Sequence, residues 1–190
     1  MVIPYQKEKI ENAICFFAKE HKKRTKKPLS QTALYKYLAL FEFEIFEETG
    51  RPPLNLIYKA MDYGPVPIEI YNKRDEYESE LFRFKKIGEN EYIIIPLKKP
   101  NLDYFSEYEI EKLKNLVYIY GEKFVTTSIM SDVSHQKIKA WKKAYTRQKN
   151  SIINYEDTFE DLEHKDIDKL SFAEENYLIW KNIDLIIKEK

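Results

Sequence analysis

Apolar residues recur at helical spacing over residues 6–21. Ile10, Ala13, Ile14, Phe17 and Ala18 share one stripe while Lys7, Glu11 and Lys19 face away, which predicts an amphipathic helix. The run His21-Lys22-Lys23-Arg24-Thr25-Lys26-Lys27-Pro28 breaks the period and reads as a basic loop. Ser30 is then placed to cap a second helix by accepting a backbone N–H of its first turn. That helix repeats Leu34, Tyr37, Leu38, Phe41 and Ile45. Its apolar stretch from Tyr37 to Phe41 predicts burial on more than one side, at the centre of the core. Gly50 can take a left-handed C′ conformation, and Pro52 and Pro53 cannot continue a helix, so the element ends there.

Residues 54–61 are short, apolar and bounded by turn residues. Strand and short helix both fit, and an extended or mixed connector is expected. After Gly64, Pro65 fixes the chain, and Pro67 suits the first position of a third helix over about residues 68–80. The arms 81–87 and 91–97 flank Gly88-Glu89-Asn90 and are rich in Phe, Tyr and Ile, the pattern of a β-hairpin, with Pro96 at an edge or strand end. Ser106 and Glu109 form a capping box ahead of Ile110, Leu113, Val117 and Tyr120, and Gly121 stops that helix. Thr126 or Thr127 caps a shorter helix carrying Ile129, Met130 and Val133, and residues 138–147 make another, anchored by Trp141. Residues 151–170 are weakly periodic, an extension or linker with short helices. Ser171-Phe172-Ala173-Glu174 then opens a last helix whose Phe172, Ile179, Ile183 and Ile186 either dock back or meet a partner. The sum is a mostly helical α+β chain: a compact helical domain over 1–150 with a small antiparallel β-hairpin, and a helical extension over 151–190.

Composition adds the means to fold. Hydrophobic residues make up 43% of 190 and aromatics 15%, enough large side chains to offset ordering entropy in one domain. The 32 basic residues balance the 32 acidic ones, so no overall field draws the chain to nucleic acid or anionic lipid. The balance conceals a split: residues 151–190 hold 11 acids against 5 lysines. A single cysteine, Cys15, admits no internal disulfide and fits a reducing compartment. With no basic-then-apolar leader and no apolar run near the ~18 residues that span a bilayer, a cytoplasmic protein without membrane contact is expected.

Candidate chemistry is sparse. Ser128, Ser131, Asp132, Ser134 and His135 contain the residue types of an acyl-transfer triad, but neighbouring residues of a helix point in different directions and no Gly-x-Ser-x-Gly elbow presents a hydroxyl. Helix capping is the reading adopted. His21, His135, His164 and Cys15 show no metal-ligand spacing, and four glycines leave no phosphate-cradling loop, so neither metal nor cofactor is expected. Lys22–Lys27 could neutralise phosphates, yet it holds no aromatic residue to stack a base, and a solvated loop ranks ahead of a nucleic-acid site.

One resemblance carries function. The aromatic helix from Leu34, then Thr49-Gly50-Arg51-Pro52, Tyr58-Lys59-Ala60-Met61-Asp62-Tyr63-Gly64-Pro65-Val66-Pro67 and Tyr71 resemble, in that order, the Panacea (SocA-like) antitoxin family. Ser131-Asp132-Val133-Ser134-His135 with Trp141 is similar to that family's closing motif, although Tyr37-Leu38-Ala39-Leu40-Phe41-Glu42 and Ala140 depart from its usual residues. The resemblance implies a mostly helical domain over 1–150 that neutralises a toxin encoded nearby by direct contact, without catalysis. Residues 151–190 lie outside it. It also leaves room for a protease adaptor or a phage-associated regulatory protein. Tyr63, Gly64, Pro65, Val66, Pro67, Tyr71, His135 and Trp141 are the candidate partner-binding residues. A rigid Gly-Pro-Val-Pro turn serves equally well to hold a contact surface or to join core elements.

Overall fold

In the computed structural model of the chain, which describes residues 3–188 and their side chains through residue 183, helix α1 covers Gln6–Thr25 and helix α2 Gln31–Thr49. Helix α1 runs past the expected end, so His21 to Thr25 are helical and not a loop. Lysine and arginine are good helix formers and favour the negative end of the helix dipole, and three of them fill the last turn. Lys26 closes the helix in the left-handed region at φ 64°, its N–H on the Lys22 carbonyl at 3.0 Å. Ser30 caps α2 as expected, accepting from the Ala33 N–H, and Gly50 ends it at φ 72°. Leu34, Tyr37, Leu38, Phe41 and Phe46 of α2 are fully buried, with Phe17 of α1 stacked on Tyr37 at 4.8 Å, so α2 is the central helix of the core.

The connector resolves into strand β2, Tyr58–Met61, which pairs antiparallel with β3, Gly64–Pro67. The Gly-Pro-Val-Pro segment is therefore a strand, and a second hairpin exists beside the expected one. Two prolines are tolerated because of the register. Tyr58 and Ala60 turn their backbone groups away from β3: Ala60 N–H bonds Ser151 O, Asn150 N–H bonds Ala60 O, and Ile153 N–H bonds Tyr58 O. Pro67 and Pro65 lie opposite those two residues, at positions where an N–H would point off the outer edge of β3. Helix α3, Ile68–Lys73, is shorter than expected. Pro67 is its N-cap residue, and only Ile70 of its six residues is buried, leaving little to hold a further turn.

Strands β4, Phe82–Lys86, and β5, Tyr92–Pro96, form the expected hairpin, with Pro96 at the strand end opposite Phe82. The two-residue strand β1, Leu29–Ser30, adds to the free side of β5. Helix α4, Glu107–Tyr120, carries the reciprocal Ser106–Glu109 capping box. Helix α5, Thr127–Lys137, is capped by Thr126, and α6, Lys139–Arg147, follows after Ile138 alone.

Beyond residue 150 the chain folds back. Three 3-10 turns, at Tyr155–Thr158, Leu162–His164 and Ile167–Lys169, lead to α7, Phe172–Lys188. Tyr155, Phe159 and Tyr177 surround Phe46 with ring centroids 5.0–5.4 Å away. The Ser171–Glu174 capping box forms, but α7 docks through Ala173 and Tyr177, while Phe172 and Ile179 point outward. Ile183 is half-buried, and the Ile186 side chain lies outside the described residues. The carbonyl of Ala173 approaches Gly50 so closely that a Cβ there would sit 1.9 Å from it. A mostly helical α+β architecture results, with seven α-helices among the described residues.

Candidate functional site

The β2–β3 hairpin turns through Asp62 and Tyr63 and is closed by Met61 opposite Gly64. Gly64 holds φ 103°, a region where side chains are strained, and a Cβ on it would lie 2.7 Å from Ser134 Oγ and 2.8 Å from Lys36 Nζ. The hairpin thus rests directly on α2 and α5, with Gly64, Pro65, Val66 and Pro67 all buried. Tyr63, at the tip, is 76% exposed.

Three stacked rings brace that tip. His135 lies flat on Trp141 at 4.0 Å with 4° between planes, and Tyr145 also stacks on Trp141, at 4.8 Å. Trp141, 6% exposed, donates from Nε1 to the Met61 carbonyl at 3.2 Å. Tyr145 donates its hydroxyl to Asp62 Oδ1 at 2.6 Å, and Lys149 pairs with the same carboxylate at 3.2 Å. The Tyr145 hydrogen bond and Lys149 hold the Asp62 carboxyl below its usual range. Trp141, not His135, supplies the hydrogen bond to the hairpin backbone. His135 contributes stacking.

Below the tip the electrostatics are unusual. Lys36 is 1% exposed, and no carboxylate or hydrogen bond offsets its burial among the described residues; desolvation alone brings its pKa to about 7. Burial, then the Lys36 charge, push His135 below the usual histidine value, with Asp132 opposing. His135 Nε2 is buried without a partner among the described residues. Ser134 donates to the Ser131 carbonyl at 2.7 Å, and no serine hydroxyl is hydrogen-bonded to the imidazole among the described residues, which leaves the Ser/Asp/His cluster without triad geometry.

A cleft of about 660 Å³ opens beside Tyr63, lined among others by Thr32, Glu91, Tyr92, Ser128, Asp132 and His135. Tyr71 stands apart from the ring stack. It meets Tyr35 edge-on at 6.3 Å and takes the Arg74 guanidinium over its ring at 4.1 Å. The signature residues Asp62, Gly64, His135 and Trp141 therefore converge, joined by Lys36 and Tyr145, which no sequence motif marks. Lys36 did leave a signal, a lone charge inside the apolar run Leu34–Phe41.

The family model described as antitoxin SocA-like, Panacea domain matches residues 34–142, more than half of the chain, and no curated protein and no solved structure matches.

Proposed function

The chain belongs to the antitoxin SocA-like family of Panacea domains, and on that basis we propose that it neutralises a cognate protein toxin, encoded beside it in a bacterial or phage genome, by direct binding in the cytoplasm and without catalysis. The observation that carries the contact site is Tyr63, a large amphipathic ring exposed on a hairpin tip that Trp141, Tyr145 and Gly64 hold rigid. A side chain so presented loses little freedom on association, the property of an interface anchor. Gly64, Pro65, Val66, Pro67 and Trp141 serve this reading by positioning Tyr63, and His135 does so from the wall of the adjoining cleft. Tyr71, held by Tyr35 and Arg74, stands outside this arrangement.

No helix among the described residues is long and apolar enough to cross a membrane. In the basic run, Arg24 is paired with Glu122, and Lys23 lies 3.5 Å from Glu20, so fewer cations face a polyanion than the sequence suggests.

Co-expression with the product of the adjacent gene tests the proposal. The full chain should restore growth and co-purify with the toxin, and Tyr63→Ala should weaken both. Absence of rescue together with absence of a complex would overturn it. Rescue that requires a cellular protease, with the toxin disappearing, would identify an adaptor instead.

A further inference from the structure

The two ends of the central helix α2 carry opposite charge. At its start, the end of α1 and the residues leading into α2 expose Lys22, Lys23, Lys26 and Lys27, and Lys123 is exposed in the turn after α4. Arg24 ties that turn to α1, pairing with Glu122 and lying over the Tyr118 ring at 5.2 Å. At its far end, about 28 Å away along 19 residues of helix, Gly50 receives α7. The 3-10 turns that precede α7 expose Glu160, Asp161, Glu163, Asp166 and Asp168. The Glu160 charge reaches Lys139, the partner of Glu47 near the end of α2, which fixes this acidic surface to that end. Of the two lysines nearest it, Lys165 is taken by Glu174 and Lys169 by Asp166.

Each end also exposes large apolar side chains. Tyr118, Ile119 and Phe124 are half or more exposed at the basic end, and Ile167, Phe172 and Ile179 at the acidic end. Helix α7 docks on the body through Ala173 and Tyr177, so the outward Phe172 and Ile179 take no part in holding it there. Clustered apolar exposure marks a contact surface, and the charges around it select the partner. A polyanion would meet the basic end but be repelled by the acidic one, whereas a second copy of the chain offers each end its opposite. The 32 basic and 32 acidic residues cancel overall, with the acidic excess beyond residue 150, so no net repulsion keeps two copies apart.

We propose that two copies of the chain pair side by side with their α2 helices antiparallel, the basic, aromatic end of each seated on the acidic, apolar end of the other. A two-fold axis makes the two contacts equivalent, so the assembly closes at a dimer. This pairing goes beyond toxin binding and involves the chain alone.

Sedimentation velocity of the full chain over a concentration series tests the proposal. A monomer–dimer equilibrium is expected, weakened roughly ten-fold or more when sodium chloride is raised from about 0.05 to about 0.5 M, because the matched charges lie at exposed rims. The double variant Lys22→Glu with Lys27→Glu should sediment as a monomer, and so should Glu163→Lys with Asp168→Lys. An equimolar mixture of the two double variants should regain the dimer, since each reversed end then faces an end of opposite sign. Phe124→Ser should weaken the wild-type dimer without altering its salt dependence. The salt series needs no variant, and far-UV circular dichroism checks that each variant is folded. A wild-type chain that stays monomeric up to about 0.5 mM, a concentration that detects even a weak pair, would overturn the proposal. So would a dimer indifferent to salt and to both double variants, a mixture that stays monomeric, or species that grow past the dimer with concentration, which would mark an open head-to-tail contact.

Discussion

Gly64 shows how much one residue can fix. Its φ of 103° and the closeness of Ser134 Oγ and Lys36 Nζ leave a methyl group no room. Gly64→Ala should cost roughly 2–4 kcal/mol of stability, measured by urea denaturation, from backbone strain and overpacking together. Tyr63→Ala is the opposite case. An exposed side chain on an intact turn should change stability by less than about 0.5 kcal/mol, while toxin affinity falls by roughly 2 kcal/mol in calorimetry, as for an anchor at an interface. Gly64, His135 and Trp141 were legible in the sequence through motif resemblance. Tyr145 was not, because a tyrosine on the chain looks like any other until folding brings its hydroxyl within 2.6 Å of the motif residue Asp62. Lys36 was legible only as an anomaly, since nothing in the sequence says what faces a lone charge on a buried helix.

Elements were most readable where the chemistry that starts or stops them is local. Ser30, Ser106, Thr126 and Ser171 all cap as their spacing requires, because a cap involves residues three apart. The β2–β3 hairpin was misread as a turn because proline is permitted in a strand only by its register with a distant partner, here residues 150–153 across β2. The overrun of α1 has a local cause: a basic cluster at a helix end fits the helix as well as it fits a loop. Gly50 joins two elements. Its left-handed φ ends α2 and its bare Cα admits Ala173 of α7. Gly50→Ala should undock α7, seen as a red shift in the fluorescence of Trp180 with the far-UV circular dichroism largely retained.

At the scale of the whole molecule, charge divides the chain near residue 150, yet packing crosses that line. Glu42 of α2 is fully buried and accepts from the Asn55 N–H at 2.6 Å and the Tyr155 hydroxyl at 2.9 Å. We therefore propose that residues 151–190 unfold together with the rest, in one transition by every probe. Burial, only partly offset by those hydrogen bonds, raises the Glu42 pKa from 4.5 to about 8. The folded state thus keeps a proton that the unfolded chain has released. The stability this group contributes is fully present below pH 4.5 and is lost as the pH rises to about 8. Glu42→Gln, neutral throughout, should gain on the wild type by on the order of 3 kcal/mol between pH 5 and pH 8, read from paired denaturant titrations. A constant difference across that range would show that Glu42 is ionised in the folded protein.

The placement of Pro65 and Pro67 has a further consequence. The outer rim of β3 lacks two of the main-chain donors that a neighbouring strand would need, and the rim of β2 is already occupied by residues 150–153. The hairpin is closed to strand addition on both sides, so another polypeptide, whether a partner or a second copy, cannot extend its sheet. Recognition at this tip has to be read in side chains, and a binding protein with no open backbone ladder there is spared the sequence-blind pairing that leads to aggregation.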